Sequence, residues 1–508
     1  MPDDPLLMGL DLGTTRIRAI AFTAAGKSVA EGSRPTPAVR TGPDHAHYEA
    51  DTLWQSTVEA IRDCVSGSEG RGRIVGVAAA SVGESAVPLD ADDRPTHPAI
   101  AWFDNRSEPQ CRALERSIGK KTLGLTSGLS TEPIFGLFKI KWIQENAPEA
   151  YSRARRWLNL ADFVAYRLSG VAATDYSLGT RTGALNLAGL HWAEDLIQEA
   201  DVDPALFQPL QASGTPLGPV TSEAAAATGL PADCIVAVGG HDHICGALAS
   251  GAFRPGNLLD SMGSAEALLQ GLDAESLDLT PVEQGFDHGV LMTERPNYFR
   301  VAGCMTSGVS TAWCQNLVTS SEADRDALID EAWEAAPGAG GVRFLPHLRY
   351  ATPPCVEKPS TGVFWGLTPD TRRGELYRAV LEGVAYDLQR LMDAFIALPD
   401  SHEPREIRAI GGSTHNDLLM AIKVALADYP IVVLDQPEAV SLGAALLAGV
   451  AAGVYENSDA GVAAVEPAGR IIRDEHGLGG FYRDVYRTQV LPDLEALAAS
   501  GLAANRAG

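Results

Sequence analysis

The sequence predicts an α/β protein, from the order of its elements, its length and a repeated hairpin. Short β-branched runs such as Ile74–Ser81 and Ile235–Gly239 alternate with helical patterns such as Asp51–Val65 and Lys139–Asn146. This alternation is typical of sheets covered by helices. The chain has 508 residues, enough for more than one hydrophobic core. A strand–turn–strand pattern occurs in each half and predicts two related domains, with a boundary near 251–256.

The first hairpin lies near the start of the chain. Leu7–Leu12 and Ile17–Thr23 predict strands, and the turn between them comprises Gly13, Thr14 and Thr15. Backbone N–H groups at such a turn can bind phosphate oxygens, and the threonines add hydroxyl donors. Asp11 at the strand end can hold Mg²⁺ through water, since this ion keeps several waters and takes few carboxylates. An ordinary hairpin with a capping Asp explains the motif equally well.

A second candidate site is Gly240-His241-Asp242-His243, between a predicted strand and an apolar helical run. A carboxylate at the carboxyl end of a strand is well placed to face a cleft. Asp242 could accept the proton of a hydroxyl during phosphoryl transfer, and nearby phosphate charge would raise its pKa. Two other interpretations remain: Asp242 caps the helix, or the histidines bind a metal. The second is weakened by the lack of further ligands at a recognisable spacing.

Two motifs in the second half resemble the hairpin turn and the strand end of the first half. The stretch Gly256–Ser264 predicts a second hairpin turn, and Gly411-Gly412-Ser413 follows the predicted strand Ile407–Ile410. Consecutive glycines allow a nucleotide to approach the backbone closely. The run Ser441-Leu-Gly-Ala-Ala445 predicts a helix packed closely against a sheet.

The most specific family signal is Gly362-Val-Phe-Trp-Gly366-Leu367, followed after seven residues by Glu375-Leu376 and then by Ala379-Val-Leu-Glu382. This spacing resembles the C-terminal signature of the FGGY family of carbohydrate kinases. The N-terminal signature is partly met, with a departure at Gly136, where Ser, Thr or Pro is usual; the residues that fit are Lys139, Trp142, Ile143, Glu145 and Asn146. The resemblance covers nearly the whole chain and is closer to xylulokinases than to glycerol kinases.

The resemblance implies two actin-like (ribonuclease H-like) ATPase domains with an interdomain cleft. Residues 1–253 would bind the sugar and supply the base, and residues 254–508 would bind the nucleotide. It implies a Mg-ATP-dependent phosphotransferase with an alcohol acceptor, Asp242 as general base and Asp11 near Mg²⁺. The residues it assigns to phosphate or nucleotide contacts are Gly13, Thr14, Thr15, Arg18, Gly263, Ser264, Gly411, Gly412 and Asn416. Ser264 stands where Thr is usual, and Arg16 stands where Ser or Thr is usual.

The substrate positions depart from the glycerol-kinase pattern, in which an Arg-Glu pair, a Tyr and the catalytic Asp surround glycerol. Glu84 matches the Glu, but Gly83 replaces the Arg and Ile134 replaces the Tyr. Without the Arg, the site lacks a rigid guanidinium with several N–H donors, and Gly leaves space in its place. We therefore expect a bulkier substrate. The Met-His pair of xylulokinases is absent here too. Asp104 matches an acidic position of xylulokinases and either binds sugar hydroxyls or caps a surface loop.

Composition limits the partners. The formal net charge of −25 disfavours nucleic acid and acidic membranes. The seven cysteines are scattered without a C-x-x-C pair, which fits a reducing compartment. The acidic N-terminus does not resemble a signal peptide, and Leu442–Val454 is too short to span a bilayer, so we expect a cytoplasmic protein.

Three functions are compatible with these motifs. A sugar kinase acting on a pentulose such as xylulose is favoured, and a deoxy-ketose or a tetritol such as erythritol also fits. An actin-like ATPase would use the same phosphate turns, but the FGGY signature and Asp242 speak against it. A pseudokinase would need damaged motifs, whereas Asp11, Gly13, Thr14 and Asp242 are all present. A homodimer remains open, because dimers are common in the family.

Overall fold

The computed structural model describes residues 4–42, 45–254, 256–263, 265–304, 306–348, 351–354, 361–398, 401–436, 438–465 and 468–500. The strands of the first half are β1 (Pro5–Leu12), β2 (Arg16–Thr23), β3 (Ser28–Pro35), β4 (Ala38–Arg40), β5 (Ala46–Tyr48), β6 (Arg73–Ser81), β7 (Ala86–Leu89), β8 (Ala99–Ile100), β9 (Arg156–Asn159), β10 (Thr174–Asp175), β11 (Leu185–Asn186), β12 (His191–Trp192), β13 (Leu210–Gln211), β14 (Pro216–Pro219) and β15 (Ile235–His241). Those of the second half are β16 (Asn257–Met262), β17 (Glu266–Leu272), β18 (Asp287–Met292), β19 (Pro296–Cys304), β20 (Arg343–Leu345), β21 (Val363–Trp365), β22 (Glu406–Ile410), β23 (Ile431–Leu434) and β24 (Gly469–Ile472).

Helices connect and cover these strands. In the first half they are α1 (Ala50–Ser68), α2 (Glu108–Leu114), α3 (Lys120–Ser127), α4 (Gly136–Asn146), α5 (Pro148–Arg153), α6 (Leu160–Ser169), α7 (Tyr176–Thr180), α8 (Glu194–Glu199), α9 (Ser222–Thr228) and α10 (Asp242–Ala249). In the second half they are α11 (Ser307–Val318), α12 (Glu322–Glu334), α13 (Arg373–Ile396), α14 (Asp417–Leu426), α15 (Ala439–Ala451), α16 (Ser458–Val465), α17 (Gly479–Val485) and α18 (Leu491–Ser500). The described helices include none that is both long and apolar enough to cross a membrane.

Two mixed sheets form the centre of the fold, and they share one local arrangement. The first has the strand order β14-β15-β6-β1-β2-β3, and the second has the order β18-β19-β17-β16-β22-β23-β24. In each, the first strand of the predicted hairpin pairs antiparallel with its hairpin partner and parallel with a later strand: β1 with β2 and β6, β16 with β17 and β22. The hairpins predicted in both halves are therefore confirmed. Near-continuous apolar runs in β1 and β6 fit strands buried on both faces.

An apolar core joins the two sheets through α10 and α15. It gathers side chains from β1, β2, β6 and β15 of the first sheet and from β16, β22 and β23 of the second. The predicted close packing around Ser441 is confirmed, since a Cβ on Gly9 of β1 would lie 1.7 Å from the Ser441 carbonyl oxygen. A Cβ on Gly443 would lie 1.9 Å from the Cys245 carbonyl oxygen of α10. Glycine is thus required where these backbones meet.

A buried ion cluster fixes the hairpin of the second sheet. The Lys423 ammonium of α14 bonds to the carboxylates of Asp260 in β16 and Glu266 in β17, one on each side of the turn. Ser307 Oγ donates to the other Glu266 oxygen at 2.5 Å. All these side chains are buried, so removing one partner would leave an uncompensated charge inside the protein.

Replacing Gly443 with alanine tests the contact between α10 and α15. Gly443→Ala should lower the free energy of unfolding by about 1–3 kcal/mol, because the added methyl group meets backbone that cannot rotate away. Urea unfolding followed by far-UV circular dichroism measures the change. Gly480→Ala in α17 is the matched control, since nothing lies within 4 Å of a Cβ there. Equal stability of both variants would contradict the proposed contact.

Candidate active site

The turn between β1 and β2 has the tight geometry that the sequence predicts. The Gly13 N–H donates to the Arg16 carbonyl oxygen at 3.1 Å, and Thr36 Oγ1 donates to the Gly13 carbonyl oxygen at 2.6 Å. Trp102 Nε1 donates to Thr14 Oγ1 at 2.9 Å, whereas Thr15 is exposed. The turn is therefore held from two sides by neighbouring loops.

The two arginines of this hairpin are already engaged with protein partners. Arg18 lies opposite Asp11 in the strand register and forms an ion pair with Glu438, the residue that precedes α15. Arg16 is exposed, and its Nε donates to Ser33 Oγ at 3.0 Å. The Arg18 pair ties the first hairpin to a helix of the second half.

Asp242 is the first residue of α10 and follows β15 directly, as predicted. Its Oδ1 accepts the N–H of His243 at 2.6 Å and lies 3.3 Å from His241 Nε2. His241 occupies the N-cap position without a side-chain cap bond, whereas the Asp242 carboxylate accepts an N–H of the first turn of α10. Burial raises the pKa of the Asp242 carboxyl, which favours a role as proton acceptor.

His241 is uncharged at neutral pH. Burial, reinforced by His243 and Arg181, lowers the pKa of His241 well below its usual value. The lowered pKa disfavours an ion pair between the His241 imidazole and the Asp242 carboxylate, although Nε2 and Oδ1 lie 3.3 Å apart. The metal interpretation of the two histidines finds no support, since the described residues contain no group of three or more His, Cys, Asp or Glu that could hold a metal ion.

The charge of Asp242 affects Asp11, the carboxyl next to the first turn. Burial, followed by the charge of Asp242, raises the pKa of Asp11 to about 7. On the other side of Asp242, His243 Nδ1 lies 3.2 Å from Ser261 Oγ near the end of β16. The start of α10 thus lies between the hairpin turns of both sheets.

The glycine pair of the second half lies beside the second turn. Gly411 has φ +101, and a Cβ there would lie 2.5 Å from the Met262 carbonyl oxygen, so glycine is required. Nothing lies within 4 Å of a Cβ placed on Gly412, and Gly263 is exposed. Asn416 caps α14 by accepting the Leu419 N–H at 3.1 Å. The space beside Gly412 is therefore open, whereas Ser264 lies outside the described residues.

A polar network bonds to the backbone N–H of His241, the residue before Asp242. Ser177 Oγ accepts the His241 N–H at 2.9 Å and donates to Asp175 Oδ1. Ser213 Oγ donates to Asp175 Oδ2 at 2.5 Å. Burial raises the pKa of Asp175 to about 6. This network fixes the position of the segment that carries Asp242.

The expectation that Gly83 leaves free space is wrong. A Cβ on Gly83 would lie 2.8 Å from Arg181 Cγ and 2.9 Å from His241 Cδ2. The Arg181 guanidinium forms an ion pair with Glu84 Oε1 at 2.5 Å. A guanidinium therefore lies beside Glu84 after all, supplied from position 181 because glycine lets the arginine cross.

Asp104 accepts the Arg106 N–H two residues on, as a loop cap does, but it lies inside the protein and not at the surface. Its side chain is fully buried, and its oxygens accept the Ala46 N–H at 2.7 Å and three N–H groups of Arg106. Burial alone would raise the pKa of Asp104, but these bonds outweigh it and lower the pKa. Ile134 is 7% exposed and packs in an apolar cluster with Phe135 and Phe138, which leaves it little surface for a substrate.

Several residues of this region were not assigned from the sequence. Lys139 Nζ donates to the main-chain carbonyl oxygens of Glu84 and Ala101 at 2.8 Å and thereby holds the Glu84 segment. Burial lowers the pKa of Lys139 to about 7. Lys139 belongs to the part of the family's N-terminal signature that this sequence meets, so a signal existed for it. Asp287 and Glu132 had none.

The chain matches the FGGY family of carbohydrate kinases twice: with the N-terminal domain over residues 6–249 and with the C-terminal domain over residues 275–452. Among curated relatives, the xylulose kinase of Bacillus subtilis is 26% identical over 96% of this chain and 95% of its own length. The gluconokinase of the same organism is 25% identical and covers 89% of both chains.

A solved structure is similar over nearly the whole chain. The xylulose kinase from Rhodospirillum rubrum has a TM-score of 0.85 and 25% sequence identity, covering 98% of this chain and 99% of that one. Together with the two domain matches, this similarity confirms the predicted fold class of two ribonuclease H-like (actin-like) ATPase domains.

Replacing Ser177 with alanine tests the support behind Asp242. Ser177→Ala leaves the buried His241 N–H without its acceptor, which costs about 1–3 kcal/mol and lets the Asp242 segment shift. We expect kcat to fall roughly tenfold, the factor that corresponds to about 1.4 kcal/mol, while the KM for ATP stays within about twofold. Steady-state kinetics measures both, and Ser152→Ala on exposed α5 is the control. An unchanged kcat would contradict the positioning role.

Proposed function

The chain belongs to the FGGY family of carbohydrate kinases, and from that premise we propose that it transfers the γ-phosphoryl group of ATP to a hydroxyl group of a pentulose such as xylulose. Members of the family are sugar phosphotransferases that use ATP. What we propose beyond the family is the identity of the acceptor. The observation that carries it is the sheet register: Asp11 of β1 and Gly240 of β15 both pair with Ala80 of β6, so the candidate phosphate turn and Asp242 follow strands that end at the same edge of the sheet.

Asp242 acts as the general base. A sugar hydroxyl becomes a competent nucleophile when its proton passes to a carboxylate, and the raised pKa of Asp242 brings its basicity closer to neutral pH. The bond from the His243 N–H orients its Oδ1, which leaves Oδ2 to face the acceptor. His241 is uncharged and does not suppress the basicity of Asp242 by ion pairing.

The hairpin turns bind the phosphates. Backbone N–H groups near Gly13 and Gly263 and the open backbone at Gly412 suit the oxygens of a triphosphate. Asp11 fits a water-mediated contact to Mg²⁺, because it is a carboxylate next to the first turn and Arg18, opposite it in the hairpin, is already paired with Glu438. When bound, Mg²⁺ would neutralise charge on the phosphates.

The domain roles follow from these positions. Residues 1–253 would hold the acceptor and the base, and residues 254–508 would hold most of the nucleotide, with Gly411 and Asn416 beside it. Glu84, at 6% exposure and held by Arg181, would contact acceptor hydroxyls with its remaining oxygen. We place the enzyme in the cytoplasm, where ATP is supplied, and its described cysteines are buried without disulfides.

Acceptor-dependent ADP release tests the function. With Mg-ATP and a panel of ketopentoses, deoxy-ketoses, erythritol and glycerol, we expect a pentulose to give the highest kcat/KM and chelation by EDTA to abolish turnover. A coupled assay measures the rate. The best activity with erythritol would replace the pentulose by a tetritol, and ATP hydrolysis that no acceptor stimulates would favour an actin-like ATPase.

The variant Asp242→Asn tests the base. Asparagine keeps an oxygen for the His243 N–H but cannot take a proton, so kcat should fall by about 100-fold or more. Calorimetry should show ATP affinity within about twofold of the original, because the phosphate turns are unchanged. Asp92→Asn, at a 71% exposed side chain, is the control. Near-normal turnover would reject Asp242 as base.

A further inference from the structure

The edge strand of the second sheet is bonded to the first half of the chain. Strand β18 pairs with β19 and begins at Asp287. The His288 N–H donates to the Gly128 carbonyl oxygen at 2.6 Å, and the Met292 carbonyl oxygen accepts the Ser213 N–H at 2.7 Å. Main-chain bonds near both ends of β18 therefore hold Asp287 against the first half.

The Asp287 carboxylate bonds to two residues of the first half. Its Oδ1 accepts the N–H and the Oγ hydroxyl of Ser130, both at 2.7 Å. Its Oδ2 accepts from Arg181 Nη1 at 3.3 Å. Because Ser130 fixes one oxygen, the other oxygen faces the guanidinium in a defined direction.

The same guanidinium bonds to a second carboxylate, that of Glu84. Arg181 Nε and Nη2 both lie 2.5 Å from Glu84 Oε1, and Arg181 Cζ lies 4.8 Å from the centroid of the Phe135 ring. The three charged side chains are largely buried, with exposed fractions of 14% for Arg181, 6% for Glu84 and 15% for Asp287. A planar guanidinium can bond to two carboxylates at once through separate N–H groups, so Arg181 connects Glu84 to the second half.

The path of the Arg181 side chain runs beside the segment that carries Asp242. A Cβ on Gly83 would lie within 3 Å of both Arg181 Cγ, at 2.8 Å, and His241 Cδ2, at 2.9 Å. The Arg181 stem and the His241 ring therefore border the same glycine. The guanidinium reaches Glu84 next to the residue that precedes the candidate base.

We propose that Arg181 is a positioning residue of the acceptor pocket: it holds the Glu84 carboxylate in place and is itself held by Asp287, so the second half of the chain helps to set the affinity for the acceptor. The inference rests on the proposed kinase function, in which Glu84 contacts acceptor hydroxyls. Glu84 uses Oε1 for Arg181, so the direction of its other oxygen follows from the position of the guanidinium. If Arg181 loses one carboxylate partner, Arg181 and Glu84 gain rotational freedom that the acceptor must remove when it binds, which weakens affinity.

The variants Arg181→Lys and Asp287→Asn, made singly and together, test this arrangement. Lysine keeps the charge but lacks the planar fork, and asparagine keeps an oxygen for Ser130 but loses the charge that holds Arg181. With the ketopentose that gives the highest kcat/KM, each variant should raise the acceptor KM roughly tenfold while kcat and the KM for ATP stay within about threefold. Calorimetry with this ketopentose and no ATP should show the same loss of affinity. Because both variants break one arrangement, the double variant should raise the acceptor KM by much less than the product of the single effects, which is roughly a hundredfold.

An exposed ion pair of the second half supplies matched control substitutions. Arg295 and Asp459 pair at 3.1 Å, and their side chains are 67% and 72% exposed. Exposed pairs contribute little, so Arg295→Lys and Asp459→Asn should leave the KM of the acceptor, the KM of ATP and kcat unchanged.

The outcomes separate the positioning role from general damage and from the kinase function. An acceptor KM in Asp287→Asn within about twofold of the original would overturn the proposal, as would single effects that multiply in the double variant. Equal increases in the KM of acceptor and ATP would also overturn it, since both sites would then be disturbed alike. If Arg181→Lys does not fold, the acceptor KM of Asp287→Asn alone decides. Absence of ADP release by the unaltered protein with every acceptor would reject the kinase function and this inference with it.

Discussion

The close contact between α10 and α15 is the constraint on which the candidate site depends. At Gly443 the two helices approach so closely that a methyl group has no room, and at Gly9 the same helix α15 meets β1. Asp242 begins α10, and Asp11 is the last residue but one of β1. Because both are attached to the same tightly packed unit, their carboxyls are held near each other without any direct bond between them.

That arrangement places acidic groups together in a partly buried space, at an electrostatic cost. Burial raises the pKa of Asp11, Asp242 and Glu132. Carboxylates that hold the fold do not all behave alike: Asp104, bonded to Arg106, has a lowered pKa, whereas burial raises the pKa of Asp175 although Ser177 and Ser213 donate to it. A raised pKa therefore reflects burial and does not by itself distinguish a carboxyl that meets a ligand from one that holds the fold.

Short sequence patterns predicted several of the elements that form the candidate site. Both hairpins, the strand before Asp242 and the helix that contains Gly443 were expected from short runs of sequence, because turn residues and apolar runs act over a few positions. The environment of Gly83 was not predictable. Its missing side chain is replaced by Arg181, 97 residues away from Glu84 in the chain, and no local pattern reports such a contact. The burial of Asp104 against Arg106 was likewise not predictable from the sequence, which left a sugar contact and a surface cap as alternatives.

The surroundings of Asp287 and Glu132 could not be predicted from the sequence either, because they depend on how distant segments pack. Asp287 belongs to β18 at the edge of the second sheet, yet it bonds to Ser130 and Arg181 of the first half. Only the packing of one half against the other brings these groups together. The sequence alone could identify the reaction type, but the ion pairs of Arg181 with Glu84 and Asp287 form only where distant segments meet.

The buried Lys423 cluster has a consequence for behaviour in concentrated electrolyte. The surface of this chain, with a net charge of −25, repels itself, and dissolved ions weaken such repulsion beyond about 10 Å at 0.1 M. Lys423, Asp260 and Glu266 are shielded from those ions by the surrounding core. Rising ionic strength would therefore weaken the repulsion between surface carboxylates. The ion pairs of Lys423 with Asp260 and Glu266, which hold the second hairpin, would keep their full strength.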